Sequence, residues 1–165
     1  MSETPVTDGL RRSPPGLHGG HEFWGLAWAA LEWLERNVQE GMATLETGAG
    51  ASTIVFAARG AEHEAVTPDA AEEERIRRAC RDRDIDDSRL TFHIGRSQEV
   101  LPTLPTRDLD LALVDGAHGF PYPVLDWWYL APRVREGGRM LLDDAYLPGV
   151  AAVVDYVRSS EAWEL

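Results

Sequence analysis

From Met42 onward, short apolar runs alternate with helix-patterned stretches, and this alternation restricts the fold more than any other feature of the chain. Met42 to Glu46 reads as a strand, and Gly48-Ala49-Gly50 turns into a helix through Ala58. His63 to Thr67 is a second strand. Pro68 then opens a helix with Glu72, Glu73 and Glu74 in its first turns, where the helix dipole favours acids. Leu90 to Ile94 and Leu109 to Val114 read as the third and fourth strands, followed by a helix around Tyr122 to Ala131. Gly137-Gly138 precedes a fifth strand, Arg139 to Leu142, and Val150 to Ser160 is a last helix. The pattern predicts a doubly wound α/β domain with a mostly parallel sheet covered on both faces.

Ahead of that core, residues 1–20 carry Pro5, Pro14, Pro15 and several glycines, and read as a flexible leader. A helix over 21–40 is expected next. Trp24, Ala27, Trp28, Leu31, Leu34 and Val38 recur on one face of it, and Gly41 stops it. The domain is thus expected over 21–165, with its core over 41–165.

The chain of 165 residues holds 28 acidic and 16 basic side chains, for a formal charge of −12. All the basic residues are Arg, so any mechanism that needs a lysine base or Schiff base is excluded. The negative charge argues against partners that want a basic stripe, so neither nucleic acid nor a membrane surface is expected. No apolar run reaches the ~20 residues that span a bilayer, and no signal-peptide core is present, so a cytoplasmic location is expected. The single cysteine, Cys80, excludes a disulfide framework and a Cys-rich zinc site, and its charged helix gives no nucleophilic setting.

In doubly wound sheets, ligands bind beyond the carboxyl ends of the strands. The first such end, Glu46-Thr47-Gly48-Ala49-Gly50-Ala51-Ser52-Thr53, is a glycine-rich turn that permits positive φ and close approach of a ligand. A dinucleotide fingerprint would want a third Gly where Thr53 stands. Glu46 would repel a pyrophosphate but could hold an ammonium group. The alternative is a tight turn with no ligand.

Glu46-x-Gly48-x-Gly50 resembles motif I of class I S-adenosylmethionine-dependent methyltransferases. Gly95-Arg96-Ser97-Gln98-Glu99-Val100-Leu101-Pro102 is similar to the segment after the third strand of catechol-type O-methyltransferases, where the Ser and Gln meet the adenine. Leu113-Val114-Asp115-Gly116-Ala117-His118 and Gly137-Gly138-Arg139-Met140-Leu141-Leu142-Asp143-Asp144 resemble the fourth- and fifth-strand segments of small bacterial O-methyltransferases. The resemblance implies a Rossmann-like sheet in the order 3-2-1-4-5 with S-adenosylmethionine as cofactor. It implies a cofactor site of Glu46, Gly48, Ala49, Gly50, Ser52, Thr53, Ser97, Gln98 and Asp115, with Asp69 toward the ribose. Three departures stand out. Thr67 and Pro68 occupy the places of the usual ribose-binding acid, the catechol-type lysine base has no counterpart, and the chain reaches Leu165 where a sixth strand would begin. Strands six and seven are therefore expected to be missing.

With that strand order, Asp115 and the Asp143-Asp144 pair end strands ~4.8 Å apart. Like charges that close need compensation. An oxygen-only set of Asp115, Asp143 and Asp144 points to Mg²⁺ or Mn²⁺, and the resemblance ranks Asp144 above Asp143. The alternative is that Asp115 caps the loop while Asp143 and Asp144 are solvated. His118, with an ordinary pKa of ~6.5, is the nearest candidate base, and equally reads as a metal ligand or a loop histidine. Asp115 and His118 form the expected catalytic pair. His18, His21, His63 and His93 show no partner spacing. Trp33 and the run Trp127-Trp128-Tyr129 read first as packing.

The favoured expectation is metal-assisted methyl transfer from S-adenosylmethionine to a hydroxyl of a small molecule, with the oligomeric state left open and a homodimer as the candidate. The alternatives are a nicotinamide-dependent oxidoreductase on a similar sheet and a non-catalytic cofactor-binding relative.

Overall fold

A computed structural model describes residues 5–17 and 25–165. Its core is five parallel strands in the order β3-β2-β1-β4-β5: β1 Ala43–Thr47, β2 Glu62–Thr67, β3 Leu90–Ile94, β4 Leu109–Val114 and β5 Val134–Leu142. The order follows the expected one strand for strand.

The crossovers supply α3 (Ala51–Ala58), α4 (Ala70–Arg81), a short α5 (Ser97–Val100) and α6 (Tyr122–Leu130), and α7 (Pro148–Arg158) follows β5. Side chains on a strand alternate between faces. Leu111 and Leu113 accordingly join Ile54, Phe56, Ile76 and Leu34 in one core, while Ala112 and Val114 join Leu45, Leu101 and Leu130 in the other. Burying both faces is what a parallel sheet requires.

β5 begins at Val134, five residues earlier than expected, because the Gly137-Gly138 pair lies inside the strand. β4 advances from Leu109 to Leu111 while β5 advances from Val134 to Arg139. The extra β5 residues form a bulge, Gly137 takes φ +72°, and a Cβ on Gly138 would lie 2.8 Å from the Arg135 carbonyl oxygen.

The N-terminal expectation is corrected. Val6–Arg12 is a helix, α1, rather than a flexible leader. Its Leu10 is buried in the core, and the Glu35 carboxylate accepts hydrogen bonds from the backbone N–H of Val6 and Thr7 and from the Thr7 hydroxyl. That carboxylate satisfies donors every helix start leaves open, a partner 28 residues downstream that local composition does not reveal. The next helix, α2, covers Trp28–Asn37 within the expected 21–40; Trp24, His18 and His21 lie outside the described residues. Leu31, Leu34 and Val38 are buried as expected. Ala27 and Trp28 are exposed instead, and the Arg11 guanidinium stacks over the Trp28 ring.

Because α1 docks through Leu10, Leu10→Ala should lower unfolding free energy by about 2–5 kcal/mol in urea titrations. A loss under about 0.5 kcal/mol, the scale of a surface substitution, would show that α1 contributes nothing to the fold.

Candidate active site

The carboxyl ends of β1 and β4 meet backbone to backbone. Gly48 has φ +89°, and a Cβ there would lie 2.2 Å from the Asp115 carbonyl oxygen, so no side chain fits. Two hydrogen bonds complete the joint: Asp115 N–H donates to the Thr47 carbonyl and Gly48 N–H to that of Val66. The glycine turn and the acidic β4 end therefore belong to one site.

Glu46 lies beneath the turn, 1% exposed. One carboxylate oxygen accepts from Ser52 Oγ at 2.6 Å, and the other from Thr53 Oγ1, with His63 Nε2 at 3.1 Å. His63 is itself buried, with Nδ1 2.8 Å from Thr44 Oγ1 and its ring stacked on Phe56. The carboxylate thus ties the first turn of α3 to β1. Ser52 and Thr53 face inward onto Glu46, which places all three below the turn that Gly48, Ala49 and Gly50 form. His63, set aside from the sequence, belongs to this network. The 3-2-1 strand order was the available signal, since Thr44 and His63 are register partners on neighbouring strands.

Asp69 caps α4: its carboxylate accepts from Ala71 N–H at 2.9 Å and pairs with Arg75 at 2.7 Å. The Arg75 and Ala71 hydrogen bonds hold its pKa below the ordinary value. Ser97 and Gln98 open α5, just past β3, both half-buried.

Beyond β4 and β5, Asp115, His118 and Asp143 each offer a ligand atom, all within 4.8 Å of one another. Asp143 holds its place because its N–H donates to the Val114 carbonyl and prolongs the β4–β5 ladder. Asp144, ranked above it from the sequence, turns out of the strand at φ +48° and lies outside this cluster, with its carboxylate 3.5 Å from His118 Nδ1. The donor set is therefore two carboxylates and an imidazole rather than three carboxylates. It fits a divalent cation in two ways: with His118 as third ligand the nitrogen donor widens the choice toward other first-row ions, and with His118 free as a base the two carboxylates form an oxygen set for Mg²⁺ or Mn²⁺.

His118 stands between two acids, with Nε2 3.6 Å from Asp115, an ion-pair distance too long for a hydrogen bond. Burial pushes the Asp115 carboxyl up to about 7, opposed by His118 and reinforced by Asp143 and Glu46. Asp115 in turn raises the pKa of His118, with Asp144 and Asp143 adding to it. Tyr146 is exposed beside Asp144, which raises its phenol pKa.

Of the aromatic run, Trp128 is 63% exposed and does not pack as expected, while Trp127 meets Tyr156 edge-on. Cys80 is buried and its thiol is pushed up to about 11, which leaves it inert as expected. Among the described residues, no helix is long and apolar enough to cross a membrane.

A family model for a methyltransferase domain matches residues 45–145, more than half of the chain, from the Glu46 strand end through Asp144. The chain belongs to this methyltransferase family. That membership decides between S-adenosylmethionine-dependent methyl transfer and the nicotinamide alternative, in favour of the former. Solved structures share the fold. One is a Corynebacterium glutamicum protein, 16% identical, TM-score 0.75, covering 98% of this chain and 83% of that one. Another is the O-methyltransferase TomG of Streptomyces achromogenes, involved in tomaymycin synthesis and solved with S-adenosylmethionine, 16% identical, TM-score 0.74, covering 97% and 80%. A third is the C-terminal domain of precorrin-6Y C5,15-methyltransferase from Rhodobacter capsulatus, 14% identical, TM-score 0.67, covering 96% and 80%. At these identities the likeness is one of fold. No curated protein sequence matches the chain.

The site has a pH signature. Folded Asp115 keeps a proton to about 7 that the unfolded chain releases near 3.9, so stability falls as pH rises through that window. His118, raised by its acids, adds stability below its ordinary value that is lost as pH climbs through its folded value, in the same direction. With divalent ions chelated, the methyltransferase should lose on the order of 2 kcal/mol between pH 5.5 and 8, and Asp115→Asn should flatten most of that slope. Denaturant titrations at several pH values measure both; a rising profile would contradict the assigned shifts.

Proposed function

We propose that this methyltransferase moves the methyl group of S-adenosylmethionine to a hydroxyl oxygen of a small molecule, with His118 as general base beside a divalent cation held by Asp115 and Asp143. The observation that carries the reading is the convergence of two carboxylates and an imidazole at the ends of β4 and β5, against the glycine turn of β1. The likeness to an O-methyltransferase fold supports it without identifying the acceptor.

The chemistry fits the residues. Gly48 and Gly50 carry no side chain and Ala49 only a methyl group, which leaves the turn's backbone open to close approach by the cofactor, while the Glu46 carboxyl group lies buried under the end that carries its ammonium group. Ser97 and Gln98 flank the adenine side. Asp69 keeps its place at the edge of β2 and serves the ribose only through its exposed face, since Ala71 and Arg75 already engage it.

A divalent cation there supplies Lewis acidity toward the acceptor oxygen. His118 takes the hydroxyl proton at one ring nitrogen, while the acid facing its other nitrogen stabilises the imidazolium that forms. Phe120 and Tyr146, both exposed on the loops bordering this cluster, offer apolar surface to an acceptor.

The test is label transfer from methyl-tritiated S-adenosylmethionine to a panel of phenols, catechols and sugars. His118→Gln should lower turnover by ~10²–10⁴ with cofactor affinity kept, and EDTA should stop transfer until Mg²⁺ or Mn²⁺ is returned. Full turnover in the variant and in EDTA would overturn the assignment.

A further inference from the structure

α6 carries an acid where its pattern calls for an apolar residue. Pro123, Asp126 and Leu130 form the buried stripe of this helix, and Asp126 is 1% exposed. Neither of its carboxylate oxygens closes a hydrogen bond. The stripe at i, i+3 and i+7 faces the sheet, so the carboxyl points under the C-terminal edge rather than to solvent.

What it points at is the joint of the site. A Cβ built on Gly116, in the loop between Asp115 and His118, would lie 3.1 Å from Asp126 Oδ2 and 3.3 Å from Thr47 Oγ1. Thr47 ends β1, is fully buried, and its hydroxyl is also without a hydrogen-bond partner. Burial raises the carboxyl's pKa and the hydroxyls of Ser97, at the start of α5, and of Thr47 both lower it, so both stand near it although neither closes a hydrogen bond to it. Groups from β1 and α6 therefore converge beneath one loop glycine, where a Cβ would fit only if Asp126 or Thr47 gave way by a few tenths of an ångström. Buried polar groups persist unpaired at functional sites far more readily than in ordinary cores, where an apolar residue would serve better.

We propose that Asp126 is a positioning residue: through Thr47 and Ser97 it locks the β4–α6 loop, and with it Asp115 and His118, to the strand ends that hold the cofactor. The joint couples the two halves of the reaction site. Thr47 adjoins the glycine turn, Ser97 lies on the adenine side, and Gly116 sits between the two acceptor-side residues. A carboxyl group suits the role because it has an oxygen for each hydroxyl. The inference rests on the reading above for the roles of Asp115, His118 and Ser97.

The test compares wild type with Asp126→Leu, Asp126→Asn and Thr47→Val by three measurements: thermal melting, amide hydrogen exchange over 115–121, and calorimetric titration with S-adenosylhomocysteine. Leucine fits the buried stripe, so Asp126→Leu should melt at or above the wild-type temperature while its loop amides exchange at least tenfold faster and S-adenosylhomocysteine affinity falls about tenfold or more. Asp126→Asn, which keeps the shape and two hydrogen-bonding atoms, should restore protection and affinity. Thr47→Val should loosen the same amides, and carries the test if the leucine variant does not fold. Wild-type loop protection in both Asp126→Leu and Thr47→Val would overturn the proposal, as would Asp126→Asn exchanging as fast as Asp126→Leu. The exchange measurements are made without ligand, so they decide the role of Asp126 even if wild type binds no S-adenosylhomocysteine, a result that would count against the cofactor reading instead.

Discussion

The site depends on one backbone contact, the approach of Gly48 to the Asp115 carbonyl. With a Cβ position only 2.2 Å from that oxygen, any residue but glycine would force β1 and β4 apart at their carboxyl ends. The contact holds because two hydrogen bonds stitch it, from Asp115 N–H to Thr47 and from Gly48 N–H to Val66. Three strand ends are thereby fixed relative to one another before any side chain takes part. Glu46 below, the glycine turn above and the acids beyond β4 then occupy one edge of the sheet.

That edge concentrates unfavourable charge. Asp115 is raised by burial, His118 by its acids, and Asp126 by burial that Ser97, Thr47 and His118 oppose. A fold selected for stability alone would fill these positions with apolar or paired groups. Away from that edge, Asp110 is stabilised as a carboxylate by Arg135 and the Ala43 backbone N–H. The contrast separates residues that build the domain from residues kept for chemistry.

Much of this was legible before the fold was known, for a physical reason. Strand–helix alternation and the glycine turn are local patterns, and in a parallel sheet they suffice to place Gly48, Ser97, Asp115 and Asp143 at a common edge. What was not legible depended on cross-strand partners or backbone turns. Asp144 looked the better ligand by spacing, yet its positive φ carries it out of the strand while Asp143 stays in the ladder. His63 gained its meaning only from register beside Thr44 and Glu46. The N-terminal helix depends on the Glu35 carboxylate, which no local reading of a Pro- and Gly-rich stretch could supply. Asp126 carries a local signal of its own, an acid in the apolar stripe of α6.

The central claim is that the joint between Gly48 and Asp115 builds an S-adenosylmethionine site. Calorimetric titration of wild type and Gly48→Val with S-adenosylhomocysteine and with NAD tests it most directly. The account predicts one equivalent of S-adenosylhomocysteine bound by wild type, no NAD binding, and loss of S-adenosylhomocysteine binding in Gly48→Val. Binding of NAD by wild type, or unchanged S-adenosylhomocysteine affinity in a folded Gly48→Val protein, would contradict it.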